Sequence, residues 1–353
     1  MKKHKLEKAK RYHPNSKSKL VCPVLIPTYG INRVATEEDA ERFADKFARE
    51  GWGNFMRFFV AGNWEPLWKK GKRVWFRYEY KNRKYDLTQK NQKHFDCLWR
   101  RMGYLVERRI YPMITLLDNC SLHWPRPGYW RTHWMNGNNN TSGTHTEAYS
   151  QTHWYEYNHP PDERPGMKET GEALMDLYRY VLEEAKVRFG DYFLVEIGNE
   201  IDARMDYHIM LKKLIDEIFG GKPKKNYWRV FTSMFWDHFY QVSVNQSCIP
   251  VLHGVGTIQD FENRKYLVDH GNRNYMVSQD GCFPLDTISQ TKKFVLHVLQ
   301  SNCKGVEGNL RPIFEWKDGM WKNVGGNEDW TFRSLKYGLL RAFGKAFEAY
   351  LGA

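Results

Sequence analysis

Residues 192–200 read YFLVEIGNE, a short run of apolar and β-prone side chains that ends in Gly-Asn-Glu. It stands between two longer stretches with helical spacing. One covers about 168–189; the other, DYHIMLKKLIDEIFGG at 206–221, is stopped by glycine. A strand held between helices is half of a βα unit, and the rest of the chain shows whether the unit recurs.

It does. The first strand reads LVCPVLIPT (20–28), and the helix TEEDAERFADKFAREG begins at Thr36. Thr36 is a suitable N-cap, with Asp39 where a capping box would put Glu or Gln, and Phe43, Ala44 and Phe47 keep helical spacing. The second strand is NFMRFFVAG (54–62), helical spacing returns at about 95–108, and the third strand is YPMITLLD (111–118). Residues 192–200 form the fourth, WRVFTSMFW (228–236) the fifth, IPVLHGVG (249–256) the sixth and NYMVSQDG (274–281) the seventh. The helix TISQTKKFVLHVLQSN precedes an eighth, LRPIFEW (310–316), and a last helix is expected over about 329–351. Eight alternating units predict a parallel sheet closed into a (β/α)8 TIM barrel, one α/β domain over 20–353 behind a basic tail at 1–19. The rival is an open doubly wound sheet. No glycine-rich phosphate loop follows the first strand, which weakens its nucleotide-binding form.

The chain has 353 residues, 41% hydrophobic and 27% charged, which suffices for one large core. The net charge of +13 raises nucleic acid or another polyanion as a partner. Much of the excess lies in MKKHKLEKAKRYHPNSKSK, read as a solvated tail; zinc-finger spacing, an RNA-recognition signature and a basic heptad region are all missing. The six cysteines stand far apart without a CxxC, so buried free thiols are expected rather than a metal site or disulfide framework. There is no apolar leader at the front and no run long enough to span a bilayer. The expectation is a soluble chain without a membrane partner, secreted if a signal has been removed.

Barrel active sites form at the C-terminal ends of the strands. Those ends are polar here: Arg57 and Asn63 at the second, Asp118 and His123 at the third, Asn199 and Glu200 at the fourth, His253 at the sixth, Gln279 and Asp280 at the seventh, Glu315 and Trp316 at the eighth. Glu200 is the sharpest candidate. A carboxyl beside the apolar end of a strand is partly desolvated, which raises its pKa and suits it to general acid work. The bland alternative is a glutamate that caps the following helix. A long segment, 119–166, follows the third strand and repeats His-Trp at 123–124, 133–134 and 153–154. Its rings read as one wall of a cleft that stacks on something flat, the alternative being a self-packed loop. The spacing fits no metal-ligand pattern.

The ordered set Arg57, His123, Asn199-Glu200, His253 and Trp316 resembles clan A of the glycoside hydrolases, most closely the family-five cellulases and mannanases. The resemblance covers about residues 20–350 and rests on motif order. It implies a retaining, cofactor-free hydrolase of β-linked polysaccharides or oligosaccharides, with no nucleic-acid partner and with Glu200 as acid/base. Arg57, His123, Asn199, His253, Glu315 and Trp316 would bind substrate. The clan's nucleophilic glutamate ends the seventh strand, where MVSQDG offers Gln279. Glutamine matches glutamate in shape but has no anionic oxygen to form a glycosyl-enzyme. Either this is an inactivated variant of a glutamate-bearing parent, which the presence of the other site positions favours, or a non-hydrolysing carbohydrate binder on a dead barrel. Moving the nucleophile to Glu315 would require that residue to lie on the seventh strand. In an active parent the two carboxyls would stand about 5–5.5 Å apart.

Overall fold

The computed structural model describes residues 20–25, 31, 36–49, 51, 53–60, 76–79, 81–118, 134–141, 167–199, 205–220, 229–233, 248–252, 255, 257–265, 276–279, 288–301, 303, 305–310, 314–317, 320–323, 345–346 and 349. One eight-stranded sheet runs through them. Its strands are β1 (Leu20–Leu25), β2 (Phe55–Phe59), β5 (Tyr111–Asp118), β6 (Leu194–Asn199), β7 (Val230–Ser233), β8 (Ile249–Leu252), β9 (Met276–Gln279) and β10 (Gly305–Leu310). The sheet order is β1-β10-β9-β8-β7-β6-β5-β2, so from β2 onward each strand lies beside the next sheet strand in the chain, and β1 pairs with the last, β10. Two hairpins stand apart from this sheet: β3 (Phe76–Glu79) with β4 (Lys84–Lys90), and β11 (Phe314–Lys317) with β12 (Met320–Asn323). The helices are α1 (Glu37–Arg49), α2 (Gln92–Glu107), α3 (Met167–Phe189), α4 (Met205–Phe219), α5 (Ile258–Arg264) and α6 (Ile288–Gln300).

The chain divides into two compact units. The first comprises Met1–Arg57, Gly103–Pro112 and Ile249–Ala353. Within it β1, β10, β9 and β8 form consecutive parallel pairs, from Leu20↔Gly305 at one edge to Leu252↔Val277 at the other. Helix α1 buries Ala40, Phe43, Ala44 and Phe47, the expected stripe, and Thr36 Oγ1 accepts the Asp39 N–H at 3.1 Å as the expected cap. Helix α5 starts the same way, with Thr257 Oγ1 accepting from the Asp260 N–H. Helix α6 buries Phe294, Val295, Val298 and Leu299.

The second unit comprises Phe58–Met102 and Met113–Cys248. Here β5, β6 and β7 pair in parallel, with Thr115↔Glu196 and Glu196↔Phe231 in register. Every residue of β6 is buried, as expected of a strand covered on both faces. Helix α3 buries Leu174, Leu177, Tyr178, Val181, Leu182 and Ala185, a 3-4 repeat along one face. It meets α4 through a buried hydroxyl pair, Tyr178 and Tyr207, at 3.0 Å. Helix α4 is fastened to β7 where His208 Nε2 lies 3.0 Å from Thr232 Oγ1, both buried.

Two sequence expectations need correction. The eighth strand of the sheet is Gly305–Leu310, not 310–316. Residues Gly305–Leu310 read GVEGNL, with too little apolar content to show as a buried strand, whereas the richer FEWK stretch, Phe314–Lys317, forms the first strand of the antiparallel β11–β12 hairpin. Glu315 and Trp316 therefore sit on that hairpin and not on a sheet strand. The β3–β4 hairpin went unseen because its strands are mostly polar, with only Phe76 and Tyr85 fully buried. The expected last helix is described only at Lys345, Ala346 and Ala349, all helical.

Candidate functional site

Five of the expected site positions fall within the described residues. Arg57 lies on β2, the second sheet strand in chain order, and is buried at 4% exposure. Asn199 is the last residue of β6, the fourth, and is buried at 7%. Gln279 is the last residue of β9, the seventh, level with Gly308 of β10. Glu315 and Trp316 lie on β11, in the connection that follows β10. His123, Glu200 and His253 lie outside the described residues, as do Asn63 and Asp280.

The end of β6 is firmly built. Asn199 stands level with Asp118, the last residue of β5, and Leu117 with Gly198. The Ser233 hydroxyl, at the end of β7, donates to the Gly198 carbonyl at 3.2 Å. These contacts hold the last residues of β6 in place. A buried amide at Asn199 is suited to orienting a hydroxyl, since it both donates and accepts.

One polar group here was not anticipated. Glu196 is fully buried in the middle of β6, and Thr115 Oγ1 donates to its Oε2 at 2.6 Å. The register sets the two residues side by side on adjacent strands. An ionisable residue inside an otherwise apolar strand run is itself the sequence signal, one that the more conspicuous Gly-Asn-Glu ending overshadowed.

The segment after β5 is described at 134–141. There Trp134 is 1% exposed and packs against Phe76 of β3, with ring centroids 4.7 Å apart. Asn140 Nδ2 donates to the Trp134 carbonyl at 2.9 Å. Trp134 is thus a core residue of this small assembly and offers no free face for a sugar. The reading of its His-Trp pair as cleft wall is corrected at this position, because burying an indole against another ring outweighs leaving it in solvent.

Among the described residues no group of His, Cys, Asp and Glu could hold a metal ion, and no helix is long and apolar enough to cross a membrane. Cys248 is buried, which raises its thiol pKa to about 12 despite the charge of Lys212 nearby; the thiol is held un-ionised.

A scan against protein-family models finds no match, and a search of curated proteins finds none either. Solved structures do match. The chain is similar to a glycoside hydrolase family 5 mannosidase from Rhizomucor miehei at 10% identity, covering 97% of this chain and 98% of that one, with a TM-score of 0.60. It is similar to an endo-1,4-beta-mannanase from the same organism at 11% identity, with 95% and 96% covered and a TM-score of 0.55. It is similar also to a GH5 family lichenase from Caldicellulosiruptor sp. F32 at 10% identity, with 89% and 84% covered and a TM-score of 0.50. The fold is a (β/α)8 barrel. In such barrels the connections leaving the strands' C-terminal ends build the active site.

Proposed function

We propose that this chain is built as a retaining glycoside hydrolase for β-linked polysaccharides, with Glu200 as acid/base and Gln279 in the nucleophile's place. The observation that carries the reading is strand order. Asn199 closes the fourth strand and Gln279 the seventh of an eight-stranded barrel. These are the two ordinals at which clan A glycosidases keep their carboxyls. The similar folds support a saccharide as ligand, since a family 5 mannosidase from Rhizomucor miehei with a TM-score of 0.59 was solved in complex with mannosyl-fructose.

In this reading Glu200 protonates the leaving glycosidic oxygen while a carboxylate at 279 attacks the anomeric carbon. Glu200 then takes a proton from water, which releases the sugar. Arg57, His123, Asn199, His253, Glu315 and Trp316 hold the sugar, the last two from the hairpin after β10. The amide of Gln279 cannot form the covalent intermediate, so the chain as it stands binds without turning over.

The test is Gln279→Glu assayed on a panel of β-mannan, β-glucan and xylan. Hydrolysis should appear, or rise by at least about a hundredfold, and should fall again by about 10²–10⁴-fold when Glu200→Gln is added. A folded Gln279→Glu protein that cleaves nothing on the panel would remove the hydrolase reading. Gln279 itself favours one second reading, a carbohydrate binder on a dead barrel. That reading predicts oligosaccharide binding by calorimetry that survives Glu200→Ala, with no cleavage from Gln279→Glu.

A further inference from the structure

The β3–β4 hairpin occupies the connection between β2 and α2. Its turn carries Lys81 and Arg83, both exposed, and β4 opens with Lys84, three cations in four residues. Arg83 takes a positive φ of 55°, so the tip is a defined tight turn. Of the hairpin's two carboxylates, Glu79 stands opposite Lys84 in the ladder and bonds a residue of the tip itself. Asp86 Oδ1 accepts from the Thr88 N–H at 2.9 Å and the Thr88 hydroxyl at 2.6 Å, and Glu79 Oε2 accepts from Asn82 Nδ2 at 3.0 Å. Arg77 Nη1 donates to a neutral partner, Gln89 Oε1, at 2.7 Å. Among the described residues no carboxylate pairs with Lys81, Arg83 or Lys84. Several other cations are ion-paired: Arg108 is shared among Glu41, Asp45 and Glu107, Arg179 meets Glu183 and Glu217, and Arg188 meets Glu184.

The tip also stands on a rigid base. The Tyr85 N–H donates to the Asn139 carbonyl at 2.6 Å, and the Thr141 N–H donates to the Tyr85 carbonyl at 2.9 Å. With the Phe76–Trp134 ring contact, these bonds tie the connection after β2 to the connection after β5, its neighbour in the sheet. Connections of this kind line the substrate face of a barrel. Three cations against one carboxylate, presented there on a fixed hairpin, are arranged to meet an anion carried by the substrate.

We propose that the β3–β4 tip recognises an anionic group on the polysaccharide, a uronate-type carboxylate or a sulfate ester, so that the preferred substrate is an acidic glycan. This rests on the glycoside hydrolase reading above and narrows its substrate class. A duplex nucleic acid would satisfy the charge but gives no reason for the tip to be mounted on a substrate-face connection.

The test uses the full chain carrying Gln279→Glu, with and without the triple change Lys81→Gln, Arg83→Gln, Lys84→Gln. Substrates are the neutral polymer it cleaves best and the carboxymethylated and sulfated forms of that polymer; duplex DNA is the control. At low salt the acidic form should be bound about tenfold more tightly than the neutral one. The preference should vanish with the triple change or in about 0.5 M salt, where charges are screened within a few ångströms, while rate and affinity on the neutral polymer stay unchanged. Which derivative shows the effect separates carboxylate from sulfate. Retention of the preference by the triple variant overturns the proposal, as does tip-dependent DNA binding as tight as that of the acidic glycan. If neither neutral nor acidic glycan is bound or cleaved, the hydrolase reading fails and not merely the tip's role in it.

Discussion

Single polar residues inside this fold are placed where burial sets their behaviour. Glu196 sits in an apolar strand with Thr115 on the adjacent strand donating to it. His94, in the first turns of α2, is a group whose titration burial shifts. The residue as a whole is half-buried, but its Nε2 is withheld from solvent, and this desolvation, helped by the charge of Arg101, lowers its pKa to about 3. A neutral imidazole is therefore native. The unfolded chain takes up a proton near pH 6.5 that the folded chain refuses until about pH 3. Stability from this site is complete above pH 6.5 and is lost as pH falls through that window, by about 1.4 kcal/mol per unit. His94→Gln should flatten the acid limb of a denaturant-unfolding series between about pH 7 and pH 4. An unchanged slope would assign that limb to other groups.

At the scale of elements, the small assembly of β3, β4 and residues 134–141 is the least expected part of the molecule and a strong candidate for control of substrate choice. Trp134 is its core, 1% exposed against Phe76. Trp134→Ala should destabilise the protein by about 3–5 kcal/mol through the cavity it leaves. In limited proteolysis the new cut sites should cluster in the hairpin, while the sheet strands stay protected. A loss of under about 1 kcal/mol with no new cleavage would mean that the hairpin is not anchored there. These elements also show where sequence was readable. The helices α1, α3, α4 and α6 and most sheet strands were legible because a buried face imposes a period of 3.6, or a continuous apolar run, on the residues that form it. β10 was not, since GVEGNL has too little apolar content to mark it as a buried strand. The polar hairpins leave little periodicity to read, and the seven-residue α5 is too short to establish one. Of the expected strand-end positions, Asn199 and Gln279 do close sheet strands, whereas Glu315 and Trp316 do not; the partner of Glu196 was not legible, because cross-strand neighbours follow from register alone.

For the molecule as a whole, the question is what the charge of +13 is for. Residues 1–19 hold eight Lys and Arg against one Glu, a large share of that excess. The ladder that joins β1 to β10 begins at Leu20↔Gly305 and runs six residues to Leu25↔Leu310. The barrel's first strand therefore needs nothing earlier in the chain for its pairing. We expect removal of residues 1–19 to change stability by no more than about 0.5 kcal/mol, a shift of about 1–2 °C in Tm by calorimetry. It should leave hydrolysis by the Gln279→Glu protein untouched. Non-specific polyanion binding should weaken and lose part of its salt slope, because fewer counterions are released. The preference carried by Lys81, Arg83 and Lys84 should survive, since those cations belong to a fixed turn. A truncated protein that loses the glycan preference along with its polyanion binding would assign selectivity to the tail. A truncated protein that melts many degrees lower would make the tail part of the barrel.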